Sequence, residues 1–100
     1  MSLTKEECFQ CIAECMAESL PGSWKTAWMD AELNGNEISV DYFYEGEALG
    51  NIQKFKTENI FAPLNAIKAI RDIMSSEGHN WFKAKFRISS SGTFELEVIE

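Results

Sequence analysis

Between Thr26 and Gln53 the chain has no lysine and no arginine, although six carboxylates fall there: Asp30, Glu32, Glu37, Asp41, Glu45 and Glu47. The segment therefore cannot neutralise its own charge. Other shortages exclude whole classes of protein. No run approaches the roughly 18 uninterrupted apolar residues of a membrane span. Lys5, Glu6 and Glu7 break any apolar leader core, so neither a membrane segment nor a secretory signal is expected. Cysteine occurs three times, an odd number without a leader, which fits free thiols in a reducing compartment, and cytoplasm is the expected location. No glycine-rich phosphate loop, dinucleotide fingerprint or calcium-loop spacing is present. A net charge of −7 repels phosphate backbones, so nucleic acid is not expected as a direct ligand.

What remains is ordinary folded-protein composition: 45% hydrophobic and 25% charged residues in 100, enough for one domain over 1–100 but not for two cores. Thr4 and Glu7 form a capping box, with Leu3 and Cys8 placed as its staple. Phe9, Ile12, Ala13, Met16 and Leu20 then make one helical stripe, with Glu7, Glu14 and Glu18 on the solvated side. Leu20-Pro21-Gly22 ends that helix. A second amphipathic helix is expected from about Ile60 to Met74 on Ile60, Leu64, Ile67, Ile70 and Met74, with Pro63 in its first turn and Gly78 as the stop.

Trp24–Leu33 and Glu37–Glu45 alternate with period two around Asn34-Gly35, a strong hairpin signal. A two-residue turn at Asn34-Gly35 pairs Leu33 with Asn36. Ala31, Met29 and Ala27 then face Ile38, Val40 and Tyr42 inside. On the outer face Glu32 meets Glu37, Asp30 meets Ser39, Trp28 meets Asp41, and Thr26 meets Phe43. Strict alternation also points Trp24 and Trp81 outward, although Trp81, near a strand start, can turn under a helix. Glu45–Gly50 is a loop, and Asn51–Lys56 is a candidate third strand. A second hairpin, Trp81–Ser89 with Thr93–Glu100, closes through Ser90-Ser91-Gly92. It pairs Ile88, Phe86 and Ala84 with Phe94, Leu96 and Val98, and Arg87 and Lys85 with Glu95 and Glu97. The predicted fold is α+β, two helices on one face of a four- or five-stranded, mainly antiparallel sheet in the order α-β-β-(β)-α-β-β.

Cross-strand pairs contribute roughly 0.2–1 kcal/mol, favourable for opposite charges and unfavourable for like ones. The second hairpin is matched internally; the first is not. The expected partner-binding face therefore comprises Trp28, Asp30, Glu32, Glu37, Asp41, Phe43 and Glu45, aromatic anchors among acids that suit a basic protein. Glu47 falls in the loop.

Catalytic and metal chemistry find less support. Cys8, Cys11 and Cys15 lie along one side of a helix without a fourth zinc ligand. A Cys11 or Cys15 pair with His79, the sole histidine, would make a small hydrolase, yet no nucleophile elbow or orienting motif surrounds them. Carboxylates on a flat sheet lack the cleft that glycosidase acids need. No cofactor is expected, and the chain reads as a non-enzyme.

The junction Leu20-Pro21-Gly22-Ser23-Trp24, the segment Val40-Asp41-Tyr42-Phe43-Tyr44 and the closing stretch from Phe86 to Glu95 resemble the YezG-like immunity proteins of bacterial toxin systems. The likeness covers most of the chain at the level of pattern, and the loop before the second helix is shorter than in typical members. It implies a non-catalytic antitoxin that binds a cognate toxin, often a nuclease, inside the producing cell. The alternative is a self-associating module burying Trp28 and Phe43 against another copy, which leaves monomer or weak homodimer open.

Overall fold

A computed structural model describes residues 4–35, 37–46 and 50–99. The element order is α1 (Lys5–Ser19), β1 (Thr26–Asn34), β2 (Glu37–Glu45), β3 (Ile52–Phe55), α2 (Phe61–Ser76), β4 (Lys83–Ser89) and β5 (Phe94–Ile99). The expected α+β fold is present, and the candidate third strand completes a sheet of five. Its spatial order is β3-β2-β1-β4-β5, every neighbouring pair antiparallel.

Each helix ends for a local reason. The Thr4 hydroxyl accepts the Glu7 N–H and the Glu7 carboxylate accepts the Thr4 N–H, both at 3.2 Å, so two orphan donors are met at the start of α1. Leu3, the expected staple residue, lies outside the described residues. At the start of α2 the Asn59 side chain accepts the Ala62 N–H at 3.0 Å, and Pro63 sits in the first turn, where its missing N–H costs nothing. Gly78, at φ +93°, ends that helix. Its N–H reaches Ser75 O and the His79 N–H reaches Met74 O, the paired bonds of a Schellman turn.

The core lies between the two helices and one sheet face. Cys8, Ile12 and Met16 of α1 and Ala66, Ile67 and Ile70 of α2 meet Ala27, Met29, Ala31 and Leu33 of β1 with Phe86 and Ile88 of β4. Phe9 stacks on Phe86 with ring centroids 5.8 Å apart, which ties α1 to the central strands. No helix packs on the opposite sheet face. Among the described residues no helix is long and apolar enough to cross a membrane.

The register of the first hairpin differs from the expected one. Asn34 pairs with Glu37 instead of forming the turn with Gly35, and Asn36, expected opposite Leu33, lies outside the described residues. Gly35 takes φ +62°. Packing decides the shift. Leu33 now faces Ile38, and Val40, Tyr42 and Tyr44 face Ala31, Met29 and Ala27, one more apolar inner pair than the other register allows. Each partner moves by two residues, so alternation preserves both faces. The expected pairs Glu32–Glu37, Asp30–Ser39, Trp28–Asp41 and Thr26–Phe43 are replaced by Glu32–Ser39, Asp30–Asp41, Trp28–Phe43 and Thr26–Glu45. The second hairpin has the expected register throughout, with Arg87 bound to Glu95 at 2.6 Å.

Candidate binding face

The helix-free face is built from β1 residues of even number and β2 residues of odd number. It therefore carries all seven expected binding residues. Five of them form one contiguous patch: Trp28, Asp30 and Glu32 on β1, with Asp41 and Phe43 beside them on β2. Glu37 and Glu45 stand at the two ends of β2, about 26 Å apart at 3.3 Å per residue. Glu45 accepts the Gly50 N–H at 3.3 Å, while Glu37 is exposed opposite Asn34. Glu47 lies outside the described residues.

Trp28 and Phe43 stack on one another, centroids 5.7 Å apart and planes 21° apart. A cation lies near each ring: Lys85 Nζ is 5.8 Å from the Trp28 centroid and Lys54 Nζ is 5.6 Å from that of Phe43. Both aromatics are half-buried. Trp24 and Trp81 do not join them. Each precedes its strand and so escapes strand alternation: Trp24 packs against the core, and Trp81 is buried with its indole N–H on Met74 Sδ at 3.3 Å.

β1 is a central strand, and this revises the charge contrast between the hairpins. Its second neighbour is β4, which sets Lys85 opposite Asp30, Lys83 opposite Glu32 and Arg87 opposite Trp28. The acids of β1 thus have basic neighbours, which counting within one hairpin misses. The signal was present in the chain, because Lys83, Lys85 and Arg87 run antiparallel to Glu32, Asp30 and Trp28 at matching spacing. Proximity does not become ion pairing, however. Among the described residues neither the Asp30 nor the Asp41 carboxylate makes a hydrogen bond or a salt bridge, and the Lys85 ammonium reaches toward Trp28 instead. Glu32 accepts only the Asn34 amide at 3.3 Å. Asp30 and Asp41 face one another at the centre of the face, with Lys85 across from Asp30 on β4 but not ion-paired to it. Around them a trough of about 380 Å³ is lined by Glu32, Ser39, Lys83, Lys85 and Glu97.

No protein-family model and no curated protein matches this chain.

Two of the three thiols are held in the protonated form. Burial raises the Cys8 pKa, and burial together with Cys11 pushes that of Cys15 up to about 11, so both remain protonated at neutral pH. Cys8 is core, Cys11 and Cys15 are half-buried, and all three are free. His79 is exposed beyond the end of α2, its N–H engaged in the Schellman turn. Among the described residues no three His, Cys, Asp or Glu side chains cluster as a metal site.

Proposed function

We propose that this chain is a non-catalytic binding protein that neutralises a basic protein partner, in the manner of the immunity proteins it resembles, with the helix-free sheet face as its contact surface. The observation that carries the reading is the Asp30–Asp41 pair, two facing carboxylates that make no ion pair among the described residues, beside a stacked Trp28–Phe43 pair. Like charges directly opposite one another lower stability, so their retention fits an external cation supplied on binding. The aromatic pair offers rigid apolar area at the centre of such a contact. A toxin nuclease, whose cleft must attract nucleic acid, has the complementary charge.

Self-association through Trp28 and Phe43 gains no comparable support, since the two rings already cover one another and carry lysines at their faces. For the hydrolase reading through Cys15, a thiol pushed up to about 11 stays protonated rather than acting as a thiolate.

The test is a variant combining Asp30→Asn, Glu32→Gln and Asp41→Lys. Lysine is avoided on β1 because Lys83 and Lys85 stand opposite. Calorimetric titration against a panel of basic nuclease domains, with acidic proteins of equal size as controls, should show binding by the parent chain and none by the variant, circular dichroism being unchanged. Undiminished binding by the variant would refute the face assignment.

A further inference from the structure

Among the described residues one lane of the sheet is left without a strand. β2 runs for nine residues and β3 pairs with four of them, Tyr42–Glu45, leaving five, Glu37–Asp41, as an open edge. The chain leaves that lane after Phe55 because it is drawn toward the helices: Thr57 is buried, and the Glu58 N–H is held by Ser19 Oγ at 3.0 Å. An edge of this kind presents unpaired N–H and C=O groups that template another strand. At the point of departure a cavity of about 500 Å³ is lined by Val40, Phe55 and Ile60 together with Asp41, Lys54 and Lys56, so the arginines of an incoming strand belong toward its Glu37 end and its apolar residues at the cavity. Tyr42, another of its lining residues, is itself buried beside Thr57. The helix-side wall of the cavity is apolar and poorly covered: Ile60 is 64% exposed, and Phe61, next in the chain, 72%.

We propose that the open half of β2 is a strand-addition site for an extended segment of a basic partner, one that alternates basic and apolar residues. The inference deepens the binding reading above, and rests on it for the partner's charge, by naming how the partner is held. Backbone pairing with Glu37–Val40 would supply affinity, and side-chain alternation would supply specificity. Outward positions of the incoming strand face Glu37 and the acids beyond it, so they take arginine or lysine. Inward positions cover the half-buried Ile38 and Val40 and enter the cavity beside Ile60, so they take valine or isoleucine. A second copy of this chain fits badly. Full-length antiparallel pairing of two such edges would set Glu37 against Asp41, two carboxylates in direct opposition.

The probe is a capped peptide alternating valine and arginine over about seven residues, a length that covers the open edge at 3.3 Å per residue. It is compared with a peptide of the same composition in two blocks and with one N-methylated at alternate amides. Binding is read by anisotropy, and amide exchange of the protein by NMR. The expected result is tighter binding of the alternating peptide with slowed exchange confined to the Glu37–Asp41 segment. N-methylation and Ile60→Ser, an uncharged change at an exposed residue that leaves the core intact, should each weaken binding by about tenfold, the loss of one or two net contacts. Equal binding of all three peptides overturns strand addition and shows charge alone at work, leaving the face assignment to the charge-reversal test. Absence of binding by any of them overturns strand addition as well. Slowed exchange of the same amides without peptide, growing with protein concentration, overturns the choice of occupant in favour of a second copy.

Discussion

Neutralising one of the two facing carboxylates, by Asp41→Asn, should make the protein more stable while weakening its hold on a basic partner. Asp30 and Asp41 are directly opposite in the β1–β2 register, and among the described residues neither carboxylate is in a salt bridge. With the charges roughly 6 Å apart on a wet surface, Coulomb repulsion is about 0.7 kcal/mol in water. Screening at physiological salt, with a Debye length of about 8 Å, leaves roughly half of that. The expected gain is therefore about 0.3 kcal/mol, within the range of cross-strand pairs, and about 1–2 °C in Tm for a chain of this size. Urea melts followed by tryptophan fluorescence at low and high salt, on Asp30→Asn, Asp41→Asn and the double variant, measure it as a double-mutant cycle. Asp41→Asn should gain, Asp30→Asn should gain less because it also gives up the attraction of Lys85 across the β1–β4 pair, the two effects should not add, and the coupling should shrink as salt rises. A coupling of zero at low salt would refute the claim that these carboxylates repel, and with it the argument that a partner is needed to relieve them.

Phe86→Ala should cost about 3–5 kcal/mol in the same melts, because a fully buried ring that stacks on Phe9 leaves a cavity at the sheet–helix seam. Arg87→Ala should cost under about 1 kcal/mol despite its 2.6 Å contact with Glu95, since both side chains are well exposed. Phe43→Ala should cost about 1 kcal/mol of ring stacking and shift Trp28 emission to the red, which also checks the register. Stability should fall as pH rises from about 9 to about 11. Over that window the unfolded chain loses the Cys15 proton while the folded state, with a pKa of about 11, keeps it, so alkali favours unfolding; Tyr42, raised mainly by burial with the Thr57 hydroxyl acting the other way, adds the same sign. Alkaline urea melts of Cys15→Ala should show a shallower decline.

The helices, the second hairpin and both sheet faces were legible because each rests on local periodicity, caps or turn chemistry. Thr4 with Glu7, Gly78 and Gly92 act where the residues predict. The register of the first hairpin was misread because the preference for Asn-Gly in the turn competed with core packing, and Leu33 against Ile38 outweighed it. The β1–β4 pairing was missed for a different reason. It joins residues nearly sixty positions apart, and only charge complementarity between Glu32-x-Asp30 and Lys83-x-Lys85 hinted at it. Trp24 and Trp81 were placed outward because alternation was extended past strand ends, where it has no force. All seven expected binding residues do share the open face, yet the lysines over the aromatic rings come from β3 and β4 and had no local signature.

The central position of β1 also bears on how the chain folds. Its partner on one side, β2, follows within a few residues, but β4 arrives only after β3 and the whole of α2. Until then β1 is a bare edge, nine residues long and apolar on one face, the sort of strand that recruits other chains. Asp30 and Glu32 sit in the middle of that edge. A nascent β1 meeting another β1 brings carboxylates together, whereas β4 brings Lys85 and Lys83, so the two acids act as gatekeepers that reject copies of themselves and accept the intended neighbour.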